Sequence, residues 1–313
     1  MPLDGRYYDL GDPGVLEWQA DIARRFGVDA FCFFHYWYSG KLLLERPVEL
    51  YRRMSSANLE YCLCWANHSW TRAWDGKNHK VLQAQDYEGP ADWRAHIEYL
   101  LPFFEDIRYL HIGERPVFFV YDVGDIPDFD SMIRCWNEVL KDNGQEELYL
   151  VEYISRRNRD AHSVLSEAVY EYQPLYACRF DMPLRRKMYA GTRKMLNMVE
   201  YEDYDRIWSL ILSNSRTYGQ RKIIEGAFVA WDNSPRRGRK GSLIVRGASP
   251  DKFERYFSQL LVRFRDHKSE DFLIVNAWNE WGEGAVLEPT EHLEYGYLRA
   301  LKRAVEEGVG GVA

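Results

Sequence analysis

Short and nearly continuous apolar runs recur along the chain, each followed by a polar and aromatic loop and then by a segment of helical periodicity. They are Val28–Phe34, Leu59–Trp65, Pro116–Tyr121, Leu148–Glu152, Ala168–Tyr172, Ala227–Trp231 and Phe272–Trp278. Unbroken apolar character, as opposed to strict alternation, is what parallel strands covered on both faces require. The helices between them are legible from their ends. Asp12-Pro13 supplies an N-cap and a first-turn proline, Ala20, Ile22, Ala23 and Phe26 an apolar face, and Gly27 a stop. Ser131 to Leu140 ends before Asn143-Gly144 in the same way. Ser249-Pro250 opens a helix carrying Phe253, Tyr256, Phe257, Leu260 and Leu261.

Repeated βα units build either a doubly wound sheet or a closed (β/α)8 TIM-type barrel. No Gly-x-Gly-x-x-Gly turn follows an early strand, and polar and aromatic residues gather after nearly every strand, which favours the barrel. A single catalytic domain over residues 1–313 matches the length of such a fold. The strand count is one short of eight, and Pro2-Leu-Asp-Gly-Arg-Tyr-Tyr-Asp9 reads as a loop. A first strand is therefore expected to be missing from this chain or replaced by a segment without strand character. The stretch 178–222 is long for a connection and carries basic residues at helical spacing, so it predicts an inserted lid or flanking helices over the barrel mouth.

Composition places the chain among ordinary globular proteins, with 46% hydrophobic and 28% charged residues. Its 11 Trp, 22 Tyr and 15 Phe exceed what a core alone suggests. Rings at strand ends suit stacking on the apolar faces of sugars, although most large rings fill the core. A formal net charge of -7 argues against nucleic acid as a partner. The basic runs Arg156-Arg157-Asn158-Arg159 and Arg236-Arg237-Gly238-Arg239-Lys240 read more readily as solvated loops than as anion sites. Of five cysteines, Cys32, Cys62 and Cys64 lie in apolar runs as expected buried thiols, and no disulfide framework is indicated. There is no signal-like leader and no apolar run of ~18 residues, so a cytoplasmic location without a membrane span is expected. His68 and His79 lack a partnered ligand spacing, and neither a metal nor a cofactor is called for.

Reactive groups of a barrel come from the C-terminal ends of its strands. His35 and Tyr36 follow the first run, Trp65, Asn67, Trp70, Trp74 and Asp75 the second, and Tyr121, Glu171, Trp231, Asp232, Asn279 and Trp281 later ones. Tyr36, Trp65, Trp70 and Trp74 are candidate stacking walls. Asn67, Asp75, Tyr121, Glu171 and Asp232 are candidate hydroxyl binders, Asp75-Gly76 being equally readable as a turn. His35 is a candidate for binding a sugar hydroxyl or tuning a carboxylate, and equally for a structural role. Cleaving a glycosidic bond takes one carboxyl that donates a proton and a second that supports developing charge or removes a proton. Glu280 and Glu283 meet that need if a turn through Gly282 and Gly284 aims both at one cavity. Two carboxyls so placed push their proton affinities apart, and Asn279 is placed to position Glu280.

The segment Trp278-Asn279-Glu280-Trp281-Gly282-Glu283-Gly284-Ala285, with Leu287-Glu288-Pro289 behind it, resembles the signature of the WbsX-like proteins, which are related to glycoside hydrolase family 99. His35-Tyr36-Trp37-Tyr38, Cys64-Trp65-Ala66-Asn67, Trp70-Thr71-Arg72-Ala73-Trp74-Asp75-Gly76 and Trp231-Asp232-Asn233-Ser234-Pro235-Arg236-Arg237 resemble further blocks. The likeness runs from about Pro2 to Ala300. It implies a (β/α)8 barrel whose relatives are endo-acting α-mannosidases and whose namesakes are assigned to polysaccharide or O-antigen biosynthesis. By position it gives Glu280 the task of assisting attack by the substrate's own 2-hydroxyl, through an anhydro-sugar, and Glu283 that of general acid and then base. Gly282 departs from the hydrolases, which usually carry His there, and this bears on sugar specificity more than on the carboxylate pair. Family members also normally begin with a first strand, which this chain does not show. The expected activity is that of a retaining glycosidase acting on an oligosaccharide or polysaccharide. The alternatives are a glycosyltransferase of surface-polysaccharide synthesis, with the Arg236-Arg237 loop as its candidate phosphate site, and a catalytically idle carbohydrate-binding barrel.

Overall fold

A computed structural model describes residues 1–72, 77–154, 160–238, 242–266 and 272–310. Trp74 and Asp75 lie outside the described residues, as do the Arg156–Arg159 run and the end of the Arg236–Lys240 run. The central sheet is parallel. It runs in spatial order through β1 (Ala30–His35), β2 (Glu60–Trp65), β3 (Arg115–Val120), β4 (Tyr149–Ile154), β5 (Ala168–Glu171) and β6 (Lys222–Ile224). After one residue, Glu225, the same strand direction resumes as β7 (Gly226–Phe228), which pairs in parallel with β8 (Ile274–Asn276). Glu225 itself accepts from the Ile274 N–H at 3.0 Å. β2, β3, β4 and β5 are buried along almost their whole length, in keeping with their unbroken apolar runs.

Sequential strands side by side, each followed by a crossover, give the α/β fold of a (β/α)8 TIM-type barrel. Among the described residues no ladder joins β8 to β1, so β1 is paired along one edge, to β2. The consequence shows in its side chains. Phe34 is 43% exposed and Cys32 is exposed, whereas Cys62 and Cys64, in register with Cys32 and Phe34 on the next strand, are buried. Cys32 thus departs from the expected buried thiol, on a strand that among the described residues has a ladder partner along one edge only. The five cysteines are free.

Helices α1 (Pro13–Arg25), α2 (Arg46–Arg53), α3 (Pro90–Phe104), α4 (Phe129–Asp142), α5 (Leu184–Met195), α6 (Tyr204–Leu212), α7 (Pro250–Asp266) and α8 (Gly296–Gly310) accompany the strands. Asp12 caps α1 by accepting from the Gly14 N–H at 2.9 Å, and Gly27 behind it holds φ 85°. One apolar cluster runs from Leu16 to Ala304. Within 178–222, α6 behaves as a barrel helix. It buries Tyr204, Ile207, Trp208 and Ile211, and the Trp208 ring is stacked with both Phe228 and Tyr256 at 5.6 Å. α5 buries no residue, and the strand Glu200–Asp203 after it pairs in parallel with Leu243–Arg246. Lys222–Ile224 escaped the sequence pattern because two apolar residues flanked by Lys222 and Glu225 make no run. No helix among the described residues is long and apolar enough to cross a membrane.

Where β1 meets α3 a pair of histidines is sealed between aromatic rings. His35 and His96 are 2% and 1% exposed, and their Nε2 atoms lie 2.8 Å apart. One ring must donate Nε2–H to the bare Nε2 of the other, so the two take opposite tautomers. Trp37 stacks on His96 at 4.6 Å, and Trp65 and Trp136 meet it edge-on at 4.7 and 4.9 Å. Burial lowers the pKa of His35 from 6.5 to about 3 and that of His96 well below its usual value. Unfolding would let both take up protons, so their contribution to stability is complete above pH 6.5 and drains away as the pH falls from there toward about 3. Urea denaturation at a series of pH values should show this acid slope, and His35→Leu/His96→Leu should flatten it; an unchanged slope in the double variant would assign the acid sensitivity to other groups.

Candidate functional site

The chain leaves β8 and makes a two-residue antiparallel pairing, Asn279-Glu280 with Ala285-Val286, closed by the turn Trp281–Glu283. Two glycines make the hairpin fit. Gly284 sits at φ 63°, ψ 16°, and a Cβ there would lie 3.1 Å from the Asp232 nitrogen. A Cβ on Gly282 would come 3.2 Å from Glu280 Oε1. The left-handed conformation and both close approaches favour residues without a side chain. With an offset of three residues, an extended strand would throw Glu280 and Glu283 to opposite faces. The turn brings them back to one side.

Both carboxylates meet the same cation. Arg236 Nη1 donates to Glu283 Oε1 at 3.0 Å and lies 3.7 Å from Glu280 Oε1. Glu283 is the more enclosed, with 15% of its side chain exposed against 36% for Glu280. Burial, followed by the charge of Glu280, raises the Glu283 pKa, and Arg236 opposes the rise. Burial tends to lower the Arg236 pKa, but the charges of Glu280 and Glu283 outweigh it and the guanidinium is held the more firmly protonated. The deeper enclosure of Glu283 is what favours its protonated form. Asp232 clasps the turn, its N–H donating to the Glu283 carbonyl at 2.7 Å and its Oδ1 accepting from the Ser234 N–H at 2.9 Å. The Ser234–Arg237 helical turn that follows is what presents Arg236.

Behind the hairpin lies a polar network reaching back to the N-terminal segment. Tyr8 accepts from Asn279 Nδ2 at 3.3 Å and from Trp281 Nε1 at 3.2 Å, and donates to Glu288 Oε2 at 2.6 Å. Gln19 Nε2 donates to the other Glu288 oxygen at 2.5 Å. Glu288 is 2% exposed, and burial raises its pKa. The Tyr8 hydroxyl is pushed up to about 12 by burial and then by Glu288. Asn279 and Trp281 are therefore tethered on either side of Glu280.

Aromatic side chains border the carboxylates. Tyr36 feels the charges of Glu280 and Arg236, and burial raises its pKa; its ring stacks with Trp70 at 6.3 Å. Tyr172 feels Glu283 and Glu280, and burial again drives its pKa well up. Tyr172 meets Trp231 edge-on at 6.3 Å. Tyr121, half-buried, lies 5.0 Å from Tyr153 and 6.5 Å from Tyr172. Tyr36, Tyr121, Trp231, Asp232, Asn279 and Trp281 thus connect with the pair directly or through one neighbour.

Four other expected site residues are not brought to it. His35 and Trp65 stand in register on adjacent strands, and both side chains pack outward against α3 and α4. Side chains alternate between faces, so His35 and Tyr36 cannot both point inward. Asn67 is fully buried and spent on the backbone of Asp122, with Nδ2 to the carbonyl at 2.7 Å and Oδ1 from the N–H at 2.8 Å, while its Nδ2 also reaches Tyr87. Glu171 is 4% exposed and accepts from Asn214, Arg216 and Tyr218, with Arg216 also paired to Asp181. These carboxyl oxygens have no capacity left for a sugar hydroxyl. Conversely, Tyr8, Tyr172, Gln19 and Glu288 join the site without a signal in the local sequence. Tyr8 lies 280 residues from its Glu288 partner, and no local pattern announces such a contact.

Comparison with known proteins bears on the family and the fold. A family model described as Glycosyltransferase WbsX matches residues 1–301. Two proteins named uncharacterized protein WxcX, from two strains of Xanthomonas campestris pv. campestris, are 31% identical over 311 residues; the match covers 97% of this chain and 43% of theirs. The chain therefore spans less than half the length of these relatives. Among solved structures, a glycoside hydrolase-like protein superposes with TM-score 0.62 at 12% identity, covering 97% of this chain and 88% of its own. The GH99 endo-alpha-mannosidase from Bacteroides thetaiotaomicron superposes with TM-score 0.59 at 13% identity, covering 96% of this chain and 81% of the mannosidase. Its complex with bis-tris-propane gives 0.61 at 14% identity, with 98% and 87% covered. At such identities the likeness is one of fold. The sequence match over nearly the whole length goes further: this chain belongs to the WbsX family.

Proposed function

We propose that the chain is a retaining glycoside hydrolase acting on a glycan, with Glu280 and Glu283 as its two working carboxyls. The observation that carries this reading is Arg236 shared between two acids of unequal enclosure at a barrel-strand end. Glu280, the more exposed, removes the proton from the sugar's 2-hydroxyl as that oxygen attacks the anomeric carbon. Glu283 gives its proton to the departing glycosidic oxygen. The Glu283 carboxylate left behind then takes a proton from the water that opens the anhydro-sugar at the anomeric carbon, Glu280 returns its proton to the 2-oxygen, and two inversions leave the configuration retained. Tyr36 and Trp70 offer a stacking face beside the pair. The fold neighbours include an endo-alpha-mannosidase, which supports an α-mannoside or a related sugar as substrate.

A second reading, a glycosyltransferase of surface-polysaccharide synthesis, is favoured by one feature, the guanidinium of Arg236 between the carboxylates. A cation there suits the phosphate of an activated sugar, and the family's description names a glycosyltransferase. Incubation with mannose- and rhamnose-containing glycans, with and without sugar nucleotides, separates the two by mass spectrometry of the products. Release without a donor is expected; product that forms only with a donor overturns the hydrolase assignment.

Within the hydrolase reading, Glu283→Gln is expected to lower the rate at least ~100-fold, and a rate that survives the change removes Glu283 as proton donor. Arg236→Ala removes a positive charge that opposes protonation of Glu283, so the pKa rises further and the alkaline limb of the kcat/KM profile moves to higher pH. An alkaline limb that stays in place shows that Arg236 does not set that proton affinity. Tyr8→Phe leaves Asn279 and Trp281 without their common acceptor, and kcat is expected to fall roughly 10- to 100-fold at nearly constant KM. Steady-state kinetics with unchanged kcat would show that the hairpin holds its position unaided.

A further inference from the structure

Helix α5 is inside out. At 100° per residue, Leu184, Met188 and Met195 fall in one stripe about 40° wide, and they are 74%, 65% and 78% exposed. Leu196 and Met198, just beyond the helix, are 57% and 41% exposed. The opposite side, which a soluble helix normally turns to water, is the one attached to the protein. Arg186 donates to the Tyr201 carbonyl at 2.9 Å and pairs with Glu202 at 2.8 Å, Arg193 donates to the Val199 carbonyl, and both guanidiniums stand over the Tyr189 ring. Nothing in the sequence hinted at this inversion, since periodicity shows an apolar stripe and not the direction in which it faces.

Charge narrows the choice of what covers the stripe. Residues 182–199 contain Arg185, Arg186, Lys187, Arg193 and Lys194 and no acid, in a chain of net charge -7. On the helical wheel Arg185 flanks the stripe on one side, Lys187 and Lys194 on the other. A symmetric contact with a second copy would set this basic helix against itself. Long cationic side chains on both flanks of an exposed apolar ridge suit a surface with negative charge at the rim and hydrocarbon beneath, where the cations remain in the headgroup layer. Methionine, unbranched and polarisable, adapts to such a fluid surface.

We propose that the Leu184–Met198 segment docks the protein onto an anionic lipid surface, with Leu184, Met188 and Met195 entering the acyl boundary and Arg185 and Lys194 meeting the headgroups. The segment lies in the connection that leaves the C-terminal end of β5, which is the end of the barrel that carries the carboxylates. The two are mechanically joined. The strand Glu200–Asp203 pairs with Leu243–Arg246, Ile244 bridges to Asp232, and Asp232 holds the Glu283 carbonyl. Docking through α5 therefore brings the mouth close to the lipid surface, where a membrane-anchored glycan would be within reach. The lipid contact stands whatever reaction the carboxylates perform.

Co-sedimentation of the purified chain with vesicles of phosphatidylcholine alone, and with phosphatidylglycerol added, tests it directly. Binding is expected on the anionic vesicles, weak or absent on the neutral ones, and reduced by added salt. Met188→Glu/Met195→Glu and, separately, Arg185→Glu/Lys194→Glu should each weaken binding at least ~10-fold. All four side chains lie on a helix without buried residues, so thermal unfolding of both variants should match the parent. The proposal is overturned if the parent ignores anionic vesicles or if both variants bind undiminished. It is equally overturned if sedimentation velocity shows a stable dimer that the Met188→Glu/Met195→Glu variant splits, since the face then belongs to a second copy.

Discussion

One guanidinium between two carboxylates governs the site. Two acids held against the same face would repel each other if both were ionised, and a hairpin with two side-chain-free positions gives them little room to separate. Arg236 relieves that repulsion while leaving the pair unequal, because Glu283 is the more deeply enclosed and Glu280 the more exposed. At Glu283 enclosure favours the protonated form and the cation opposes it, with enclosure the larger influence. The Asp232 clasp and the Tyr8 network set the geometry in which that balance operates.

Much of the polar chemistry at the strand ends serves the fold. Asn67 joins the ends of two strands by satisfying both backbone groups of Asp122, and Glu171 anchors the 214–218 segment through Arg216. Removing either would leave buried donors or acceptors unpaired, at a cost of about 1–3 kcal/mol each. The His35–His96 pair plays a similar role between sheet and helices: one hydrogen bond joins the two Nε2 atoms inside a shell of indoles, provided both rings are neutral. Polar residues at the end of a barrel strand are thus divided between holding neighbouring strands and facing a ligand, and burial with fully occupied hydrogen bonds marks the first group.

The α5 segment and the carboxylate hairpin depart from ordinary soluble packing at the same end of the barrel. One exposes apolar side chains that a globular surface normally hides, and the other gathers like charges that a fold normally separates. Exposed apolar patches and closely gathered charges are features that interaction sites and reactive sites share.

The sequence by itself determined the fold class, since unbroken apolar runs and capped helices are local consequences of burial on both faces of parallel strands. It also determined the carboxylate pair and its two glycines, because the whole hairpin lies within nine residues, from Trp278 to Val286. The tertiary structure alone decided which strand-end residues look inward. His35 and Tyr36 are neighbours with opposite outlooks, and the parity of a strand is fixed only by what packs on each side. It alone brought Tyr8 to Glu288, Arg236 to Glu280 and Glu283, and the polar side of α5 to the protein body. These are long-range contacts and orientations; local pattern specifies what a segment can form, and only the closed chain specifies what it meets.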